Sequence, residues 1–493
     1  MNPGKSAIII GSGVGGIATS IFLAQKGYNV SVFEKNLRPG GRCGQIVRDG
    51  HRFDIGASIL LMPGLYRQVF GSLGVDFDRS LEAMPVDTLY KLFFDDGTHI
   101  EITTDLSRME DKMELIEKGS YMKLRSYVSI GYRLYKLAFN KLLGRNFTRA
   151  TQFINLGNLL LLFRLKAFIN HSKYVRKFFR HRNLNVAFTF QNIYVGQSPY
   201  QAPALFSMLP AIELTEGSAF LKGGMHGIVT QLMKMAGELG VEFHFGREVE
   251  RIGTKNGMAT GVILADKKEI KANVIVANAD LPYVYRELLP DKKKASQIEK
   301  KNYSCSAFVF HWGLDMTFPQ LDLHNVFFSG DYRKNLDRIF KSNSLGDHPD
   351  FYIYSPCRYD VTAAPQGQDS ISVIIPAGNI NRKINQNWES LEANARSAVI
   401  SRLKMSGIDI KDHIKFEISI PPTSWENQLN VTRGAVFGSL SHNIMQMGYF
   451  RPHNRHDRHK NLYFVGGSTH PGGGIPLVLL SAKLVSERIM KEN

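Results

Sequence analysis

Residues 7–34, AIIIGSGVGGIATSIFLAQKGYNVSVFE, decide the fold of this chain. The apolar residues 7–10 predict a short buried strand, and the glycine-rich residues 11–16 follow it directly. Apolar residues at helical spacing over 17–26 then predict a helix, and residues 30–33 predict a second strand that ends at Glu34. The order strand, G-x-G-x-x-G loop, helix, strand and acid is typical of a doubly wound α/β domain that binds a dinucleotide.

The glycine loop is the first candidate binding segment. Glycines let the backbone approach a pyrophosphate, and the helix that follows presents free N–H groups and the positive end of its dipole to that anion. Glu34 can accept hydrogen bonds from ribose hydroxyls and would repel a 2′-phosphate. NAD and FAD proteins both begin in this way, so these residues leave the choice open. The candidate contacts in this loop are Gly11, Ser12, Gly13, Val14, Gly15 and Gly16.

The next segment, EKNLRPGGR at 34–42, separates the two cofactors. It resembles the second fingerprint of the flavin amine oxidase and phytoene desaturase superfamily. The resemblance implies that Lys35, Gly40, Gly41 and Arg42 contact FAD. Paired glycines permit a close approach to the cofactor, and the Arg42 guanidinium suits an anionic partner.

Two later segments extend the resemblance along the chain. Residues 461–476, NLYFVGGSTHPGGGIP, resemble the carotenoid desaturase branch in particular and predict a strand, a glycine loop and a helix. The family then places Gly466, Gly467, Gly474 and Ile475 beside the flavin. In the family, a middle segment of the chain re-enters the cofactor domain and leaves it again. Residues 216–280 of this sequence resemble that segment. There the resemblance implies FAD contacts from Val249 and Asn278.

These segments predict an α/β protein with a discontinuous, Rossmann-like FAD-binding domain. We expect this domain to consist of residues 1–75, 215–290 and 430–493. Residues 76–117 and 291–429 carry strand-like runs and predict a mixed-sheet domain that holds the substrate. Residues 118–214 form a helical insert that we expect to face a membrane.

The charge of the chain is concentrated in that insert. The net charge is +17, which points to an anionic partner. Residues 118–212 contain no Asp or Glu but 15 Lys or Arg and 17 Phe or Tyr. A helix over 173–180 would place basic and apolar side chains on opposite faces, as in helices that lie in an anionic membrane interface. The basic set is Lys173, Arg176, Lys177 and Arg180, and the apolar set is Tyr174, Val175, Phe178 and Phe179.

Alternatives to the membrane interpretation are a solvated basic face over an ordinary core and a nucleic-acid surface. No nucleic-acid recognition motif is present, so nucleic acid is disfavoured. Three scattered cysteines favour a reducing compartment. With no apolar run long enough to span a bilayer, we expect a cytoplasmic protein bound peripherally to the membrane. The triplet repeat His453, His456 and His459 is flanked by Arg and Lys, which would repel a cation, so we predict no metal site.

The family resemblance also implies the chemistry. Carotenoid desaturases make a C=C bond by hydride transfer to FAD and loss of a proton, with quinone or oxygen as the electron acceptor. Glu213 is the candidate base, and His470 is a candidate acid or base if it does not only position the loop. Overall resemblance favours 1-hydroxycarotenoid 3,4-desaturation. The alternatives are phytoene desaturation, redox-neutral carotene isomerisation and an escort-type protein that binds prenyl groups without redox chemistry.

Overall fold

A five-stranded parallel sheet organises the cofactor side of the molecule. The computed structural model describes residues 4–147, 149–289 and 291–493. In lateral order the strands are Leu462–Phe464, Val274–Ala277, Ser6–Ile10, Asn29–Phe33 and Glu242–His244. All neighbouring pairs are parallel. Because the carboxyl ends of parallel strands share one edge, the loops after residues 10, 33, 277 and 464 meet there.

The central strand Ser6–Ile10 is buried on both faces, which explains its unbroken apolar run. Ile9 packs with the helices on one face, whereas Ile8 and Ile10 pack with the opposite layer. The helices on the first face are Val14–Ala24, Pro63–Ser72, Gly227–Glu238 and Ile475–Glu492. The opposite layer contains an antiparallel sheet of Val249–Lys255, Met258–Leu264 and Glu269–Lys271.

Three separate stretches of chain build this half of the molecule, as the predicted discontinuous domain requires. The exact domain limits stay a prediction. Residue 214, the predicted end of the insert, falls inside the helix Met208–Glu216, so a boundary fits better after that helix. Pro290, the predicted end of the middle piece, lies outside the described residues.

A seven-stranded mixed sheet forms the second half, as the sequence predicts. Among the described residues, one pair of its strands is parallel, Thr88–Phe93 with His324–Phe327. In lateral order the strands are Ile414–Ile420, Ser306–Leu314, Asp369–Ala377, Phe351–Tyr354, His324–Phe327, Thr88–Phe93 and His99–Thr103. The helices Tyr332–Ser342 and Trp388–Met405 pack against this sheet. Two short antiparallel ribbons, Gln45–Arg48 with His51–Asp54 and Ala83–Pro85 with Ala219–Leu221, lie between the two halves.

The insert is helical, but its helices differ from the prediction. Its α-helices are Ser120–Ala138, Leu156–Arg164, His171–Val175, Arg182–Ala187 and Met208–Glu216. The shorter α-helices elsewhere are Phe77–Ser80, Glu110–Ile116, Leu281–Tyr283, Lys292–Glu299 and Pro422–Leu429. Within the described ranges, no helix is long and apolar enough to cross a bilayer.

The predicted membrane helix over 173–180 is wrong in its length and in the role of its aromatic face. The helix ends at Val175, and the chain continues in tight turns. Tyr174, Val175 and Phe179 are buried in the protein core, where the ring of Phe179 stacks on Phe188 at 4.8 Å. The backbone N–H groups of Arg180 and His181 donate to Glu117 at 2.7 Å. The aromatic face therefore packs inside the protein, and only the four basic side chains remain exposed.

Candidate active site

One large cavity runs along the carboxyl edge of the parallel sheet and continues beside the mixed sheet. Its empty volume, including the open mouth, is about 2920 Å³. Fifteen of the seventeen predicted cofactor contacts line it. They are Gly11, Gly13, Val14, Gly15, Glu34, Lys35, Gly40, Gly41, Arg42, Val249, Asn278, Gly466, Gly467, Gly474 and Ile475.

The glycine loops form a cradle that side chains would fill. At Gly11 the backbone has φ +96°, and a Cβ atom there would lie 2.8 Å from the carbonyl oxygen of Asn278. A Cβ at Gly15 would lie 2.9 Å from Asn278 Nδ2. Asn278 itself is held by its backbone N–H, which donates to Ile10 at 2.8 Å, and by Nδ2, which donates to Val465 at 3.1 Å. Asn278 thus ties three neighbouring strands together beneath the loops.

Ser12 and Gly16, the other two predicted contacts, support the loop from behind. The backbone N–H and hydroxyl of Ser12 donate to Glu34 Oε2 at 2.9 and 3.0 Å. A Cβ at Gly16 would lie 2.2 Å from the Gly11 carbonyl oxygen, so this glycine permits close packing of the helix on the strand. These two residues act through Glu34 and Gly11 and not by facing the cavity.

Glu34 is nearly buried at the end of its strand and faces the cavity. Its Oε2 accepts from Ser12, and its Oε1 accepts from the backbone and side chain of Asn36 at 2.9 and 3.0 Å. These bonds hold the carboxylate in one orientation. Four hydrogen bonds from Ser12 and Asn36 fill the roughly four acceptor positions of the carboxylate, so a ribose hydroxyl would bind Glu34 by replacing one of these donors.

Two cations complete the cofactor end. Arg42 Nη1 donates to the Val436 carbonyl at 3.0 Å, and burial lowers the pKa of Arg42 while Asp280 opposes that shift. Lys35 Nζ donates to Asn430 Oδ1 at 2.9 Å, and burial lowers the pKa of Lys35. The N-terminus of the 18-residue helix Ile475–Glu492 also opens on the cavity. Two helix N-termini, a fixed arginine and glycine-lined walls fit an anionic dinucleotide such as FAD.

Beyond the glycine loops the cavity becomes apolar. Its walls here come from the insert, from residues 59–66 and from the mixed sheet. The apolar and aromatic residues that line this part include Ile59, Leu61, Met62, Tyr66, Phe190, Ile193, Tyr194, Leu209, Ile212, Val326 and Phe328. Such a compartment accepts a long apolar molecule and excludes water.

Glu213 lies in this apolar compartment, where its side chain lines the cavity and is only 1% exposed. Oε1 accepts from the hydroxyl of Tyr90 at 2.9 Å, and Oε2 accepts from Gln191 Nε2 at 3.3 Å. Burial raises the pKa of Glu213 to about 8, and the two hydrogen bonds oppose this rise. Glu213 is therefore a carboxyl that exchanges a proton near neutral pH.

The location of His470 does not support an acid–base role. Its ring lies in a small separate pocket with Asn146 and Phe147. Nε2 is 2.8 Å from the Arg145 carbonyl oxygen, so it holds the proton and donates. Burial lowers the pKa of His470 to about 4, which keeps the imidazole neutral. His470 positions the glycine loop against the insert.

Four residues of this site are not predicted from the sequence. Tyr90, Gln191, Asp350 and Tyr352 carry no motif, and each lies in a segment that reads as an ordinary strand or insert helix. Tyr90 and Gln191 hold Glu213, whereas Asp350 and Tyr352 line the cavity directly. An acid beside a strand that is otherwise aromatic, as in DFYIY at 350–354, is the one local signal that marks Asp350.

Comparison with known proteins agrees with this site. Residues 14–490 match the family described as flavin containing amine oxidoreductase. The chain is 36% identical over 490 residues to a zeta-carotene-forming phytoene desaturase of Myxococcus xanthus, covering 99% of this chain and 94% of that protein. It is 35% identical over 512 residues to a phytoene desaturase of Fusarium fujikuroi, covering 99% and 90%.

Solved structures show the same fold at low identity. An oxidoreductase from Methanosarcina mazei has a TM-score of 0.65 at 15% identity, over 98% of this chain and 100% of that one. Cyclohexylamine oxidase from Brevibacterium oxydans has a TM-score of 0.62 at 14% identity, over 99% of both chains.

The fold and the site define an FAD-dependent oxidoreductase that acts on CH–CH groups. The chain belongs to the flavin containing amine oxidoreductase family and, within that superfamily, to the carotenoid desaturases.

Proposed function

We propose that this protein introduces C=C bonds into a carotenoid, a long isoprenoid chain. One observation carries the proposal: a single cavity joins the dinucleotide cradle to an apolar compartment whose wall includes the buried carboxyl of Glu213. Forming a C=C bond removes two hydrogens, which leave as a hydride and a proton. The bound FAD supplies the hydride acceptor.

The protein's own residues align the chain and take the proton. The apolar wall beside Tyr66 and Ile212 holds the chain and keeps water out of the compartment. In its ionised form, Glu213 would accept the proton at a carboxylate oxygen. Its raised pKa, about 8, makes the ionised group a stronger base than an ordinary carboxylate. The Tyr90 hydroxyl donates to the ionised carboxylate of Glu213 and stabilises its negative charge until the proton is transferred.

There are two candidates for the exact substrate. Overall sequence resemblance favours a 1-hydroxycarotenoid desaturated at its 3,4 bond. Relatives named phytoene desaturase fit a hydrocarbon substrate equally well. The electrons removed from the substrate must leave the protein, and we propose quinone or oxygen as their acceptor.

We also propose that the insert binds an anionic membrane, from which an apolar substrate can enter. The supporting surface is the helix Leu156–Arg164 and its neighbours. Leu156 is 74% exposed and Phe163 is 60% exposed. The other large apolar side chains exposed here are Ile154, Leu159, Leu160 and Phe168. Arg164 and Lys166 follow at once, so the surface combines apolar and cationic groups as an interfacial helix does.

Incubation with defined carotenoids tests the proposal. The FAD-loaded protein in liposomes, with a quinone or air present, is expected to convert phytoene or a 1-hydroxycarotenoid into a product with two hydrogens fewer per new bond and red-shifted absorption. An isomerised product of unchanged mass would instead identify an isomerase. An escort-type protein is indicated if the purified chain has no flavin absorbance and FAD does not raise its melting temperature.

A further inference from the structure

One part of the cavity wall is apolar except for one acid. This wall is built by the helix Tyr332–Ser342 and by the ends of two strands of the mixed sheet. Its apolar members are Phe328, Tyr332, Leu336, Ile339 and Phe351. Asp350 immediately precedes the strand Phe351–Tyr354 and lines the same wall. A carboxyl in such surroundings destabilises the folded protein unless hydrogen bonds compensate it, and a wall that contacts only hydrocarbon does not need one.

The hydrogen bonds of Asp350 leave part of its carboxyl free. The backbone N–H of Ser329 donates to Oδ1 at 2.8 Å. Asn335 Nδ2 approaches Oδ2 at 3.3 Å but makes shorter bonds of 2.7 Å to Ser329 Oγ and to the His348 carbonyl. A carboxylate offers about four acceptor positions, so these partners do not saturate it.

No cation neutralises Asp350 directly. Arg182 contributes a favourable charge, but its guanidinium is paired with Asp95. Across residues 4–147, 149–289 and 291–493, no ion pair to Asp350 within 4.0 Å is present. Burial raises the pKa of Asp350 to about 7, and hydrogen bonds from Ser329 and Asn335 oppose this rise. Near neutral pH the carboxyl can therefore either accept a hydrogen bond from a hydroxyl or donate one to it, whereas a hydrocarbon can do neither.

The strand that follows Asp350 carries a residue that reaches the cofactor end. Tyr352 also lines the cavity, and its hydroxyl lies 3.1 Å from the hydroxyl of Ser58, close to Gly56 at the glycine-lined end. Consecutive residues of a strand advance by about 3.3 Å, so the rigid strand sets the distance between Asp350 and the cofactor end. A group bound at Asp350 would hold the rest of the chain in a fixed register along the cavity.

We propose that Asp350 binds a hydroxyl group of the substrate, and that the preferred substrates are carotenoids hydroxylated at the end that occupies this part of the cavity. The hydroxyl, once bound, selects which C–C bond lies at the reacting position. This inference rests on the proposed desaturase function. A 1-hydroxycarotenoid is one member of this substrate class, and phytoene, a hydrocarbon, is not.

Matched substrate pairs test the inference. The full-length FAD-loaded protein is assayed in liposomes with a hydroxylated carotenoid and with the hydrocarbon of the same carbon skeleton. Wild type is expected to show a kcat/KM ratio about 10- to 100-fold in favour of the hydroxylated chain, the range for a hydrogen bond to an ionisable group. D350L is expected to bring this ratio close to one. D350N keeps one acceptor oxygen and is expected to retain an intermediate ratio.

The outcomes separate this inference from the function on which it rests. If wild type desaturates neither substrate, the proposed function fails. If wild type desaturates both with equal kcat/KM, or if D350L keeps the wild-type ratio, the function stands and the role of Asp350 is refuted. Flavin absorbance checks that each variant is folded. If D350L does not fold, the substrate ratios of wild type and D350N still decide the test. A keto analogue of the same skeleton shows whether the carboxyl also acts as a donor.

Discussion

The hydroxyl of Tyr90 donates a hydrogen bond of 2.9 Å to Glu213 Oε1. This bond links the strand Thr88–Phe93 of the mixed sheet to the helix Met208–Glu216 of the insert. Burial, and then the charge of Glu213, raise the pKa of Tyr90 well above its usual value, so the phenol stays protonated and remains a donor. The bond favours the ionised carboxylate and opposes the effect of burial on Glu213.

The rate of desaturation is expected to rise with pH through about 8 in wild type, because Glu213 becomes ionised over that range. E213Q removes the acceptor and is expected to lower kcat by about 10²-fold or more and to abolish this pH dependence. Y90F removes a bond that stabilises the ionised form, so its midpoint is expected to shift to higher pH. Initial rates from pH 6 to 9.5 provide the measurement. A wild-type rate that is flat over this range, with full activity in E213Q, would rule out Glu213 as the proton acceptor.

Protein stability is expected to depend on pH through the same residue. The pKa of Glu213 rises from 4.5 to about 8 on folding, so folding binds a proton between these values. The stability that this proton contributes is fully present below about pH 4.5 and is lost as pH rises through about 8. The melting temperature of wild type relative to E213Q is therefore expected to fall between pH 5 and pH 8.5. E82Q, at an exposed acid, controls for the loss of one carboxyl. A constant difference across this range would contradict the raised pKa.

Removal of the Arg42 guanidinium is expected to weaken FAD binding. Arg42 is fixed by Val436 and faces the cavity among the glycine loops, where a charged hydrogen bond to the cofactor contributes about 1.5–3 kcal/mol. R42M is expected to bind FAD about 10- to 100-fold more weakly, measured by titration of flavin fluorescence. R67M, at an exposed arginine paired with Asp78, is the matched control. Equal FAD affinity in R42M and R67M would show that Arg42 does not contact the cofactor.

Membrane binding is expected to depend on the exposed apolar side chains of the helix Leu156–Arg164. The triple variant L159S/L160S/F163S is expected to lose flotation with anionic liposomes, because these side chains insert between lipids. Neutralising Lys173, Arg176, Lys177 and Arg180 is expected to weaken flotation in a salt-dependent manner, by about 1 kcal/mol per charge.

Exposed apolar residues elsewhere supply the control for that measurement. The variant L115S/V361S/M405S changes three such residues outside the surface around Leu156–Arg164. It is expected to float as wild type does. Flotation lost equally in both triple variants would indicate a general loss of stability, and flotation unchanged in L159S/L160S/F163S would place the membrane contact on another surface.

The cofactor end could be predicted because its requirements are local. Gly11, for example, has φ +96°, a backbone conformation that favours glycine and is set by the turn itself. The strand, loop and helix around it are contiguous in sequence, so the pattern is visible there. The same reasoning placed Glu34 at the end of the second strand, where the structure has it facing the cavity.

In the insert, helical spacing alone does not say which face of a helix is buried. Tyr174 and Phe179 look like a membrane-facing stripe in sequence, but they pack against Tyr127 and Phe188 within the protein. The exposed apolar surface is formed instead by Leu156 and Phe163, on a helix that lies earlier in the insert. The sequence likewise offers His470 as an acid or base, yet its ring turns towards the Arg145 carbonyl.

The sequence alone indicates the dinucleotide fold and the family and predicts glycine, acid and arginine contacts at the cofactor end, because these motifs are each contained within a few consecutive residues. Which side chains gather around Glu213 and along the apolar compartment depends on the tertiary fold. Tyr90 lies on a strand of the mixed sheet, Gln191 and Glu213 lie in the insert, and Asp350 lies in a third segment of the chain. No local pattern encodes such a group, since its members are brought together only when the mixed sheet and the insert close on the same cavity.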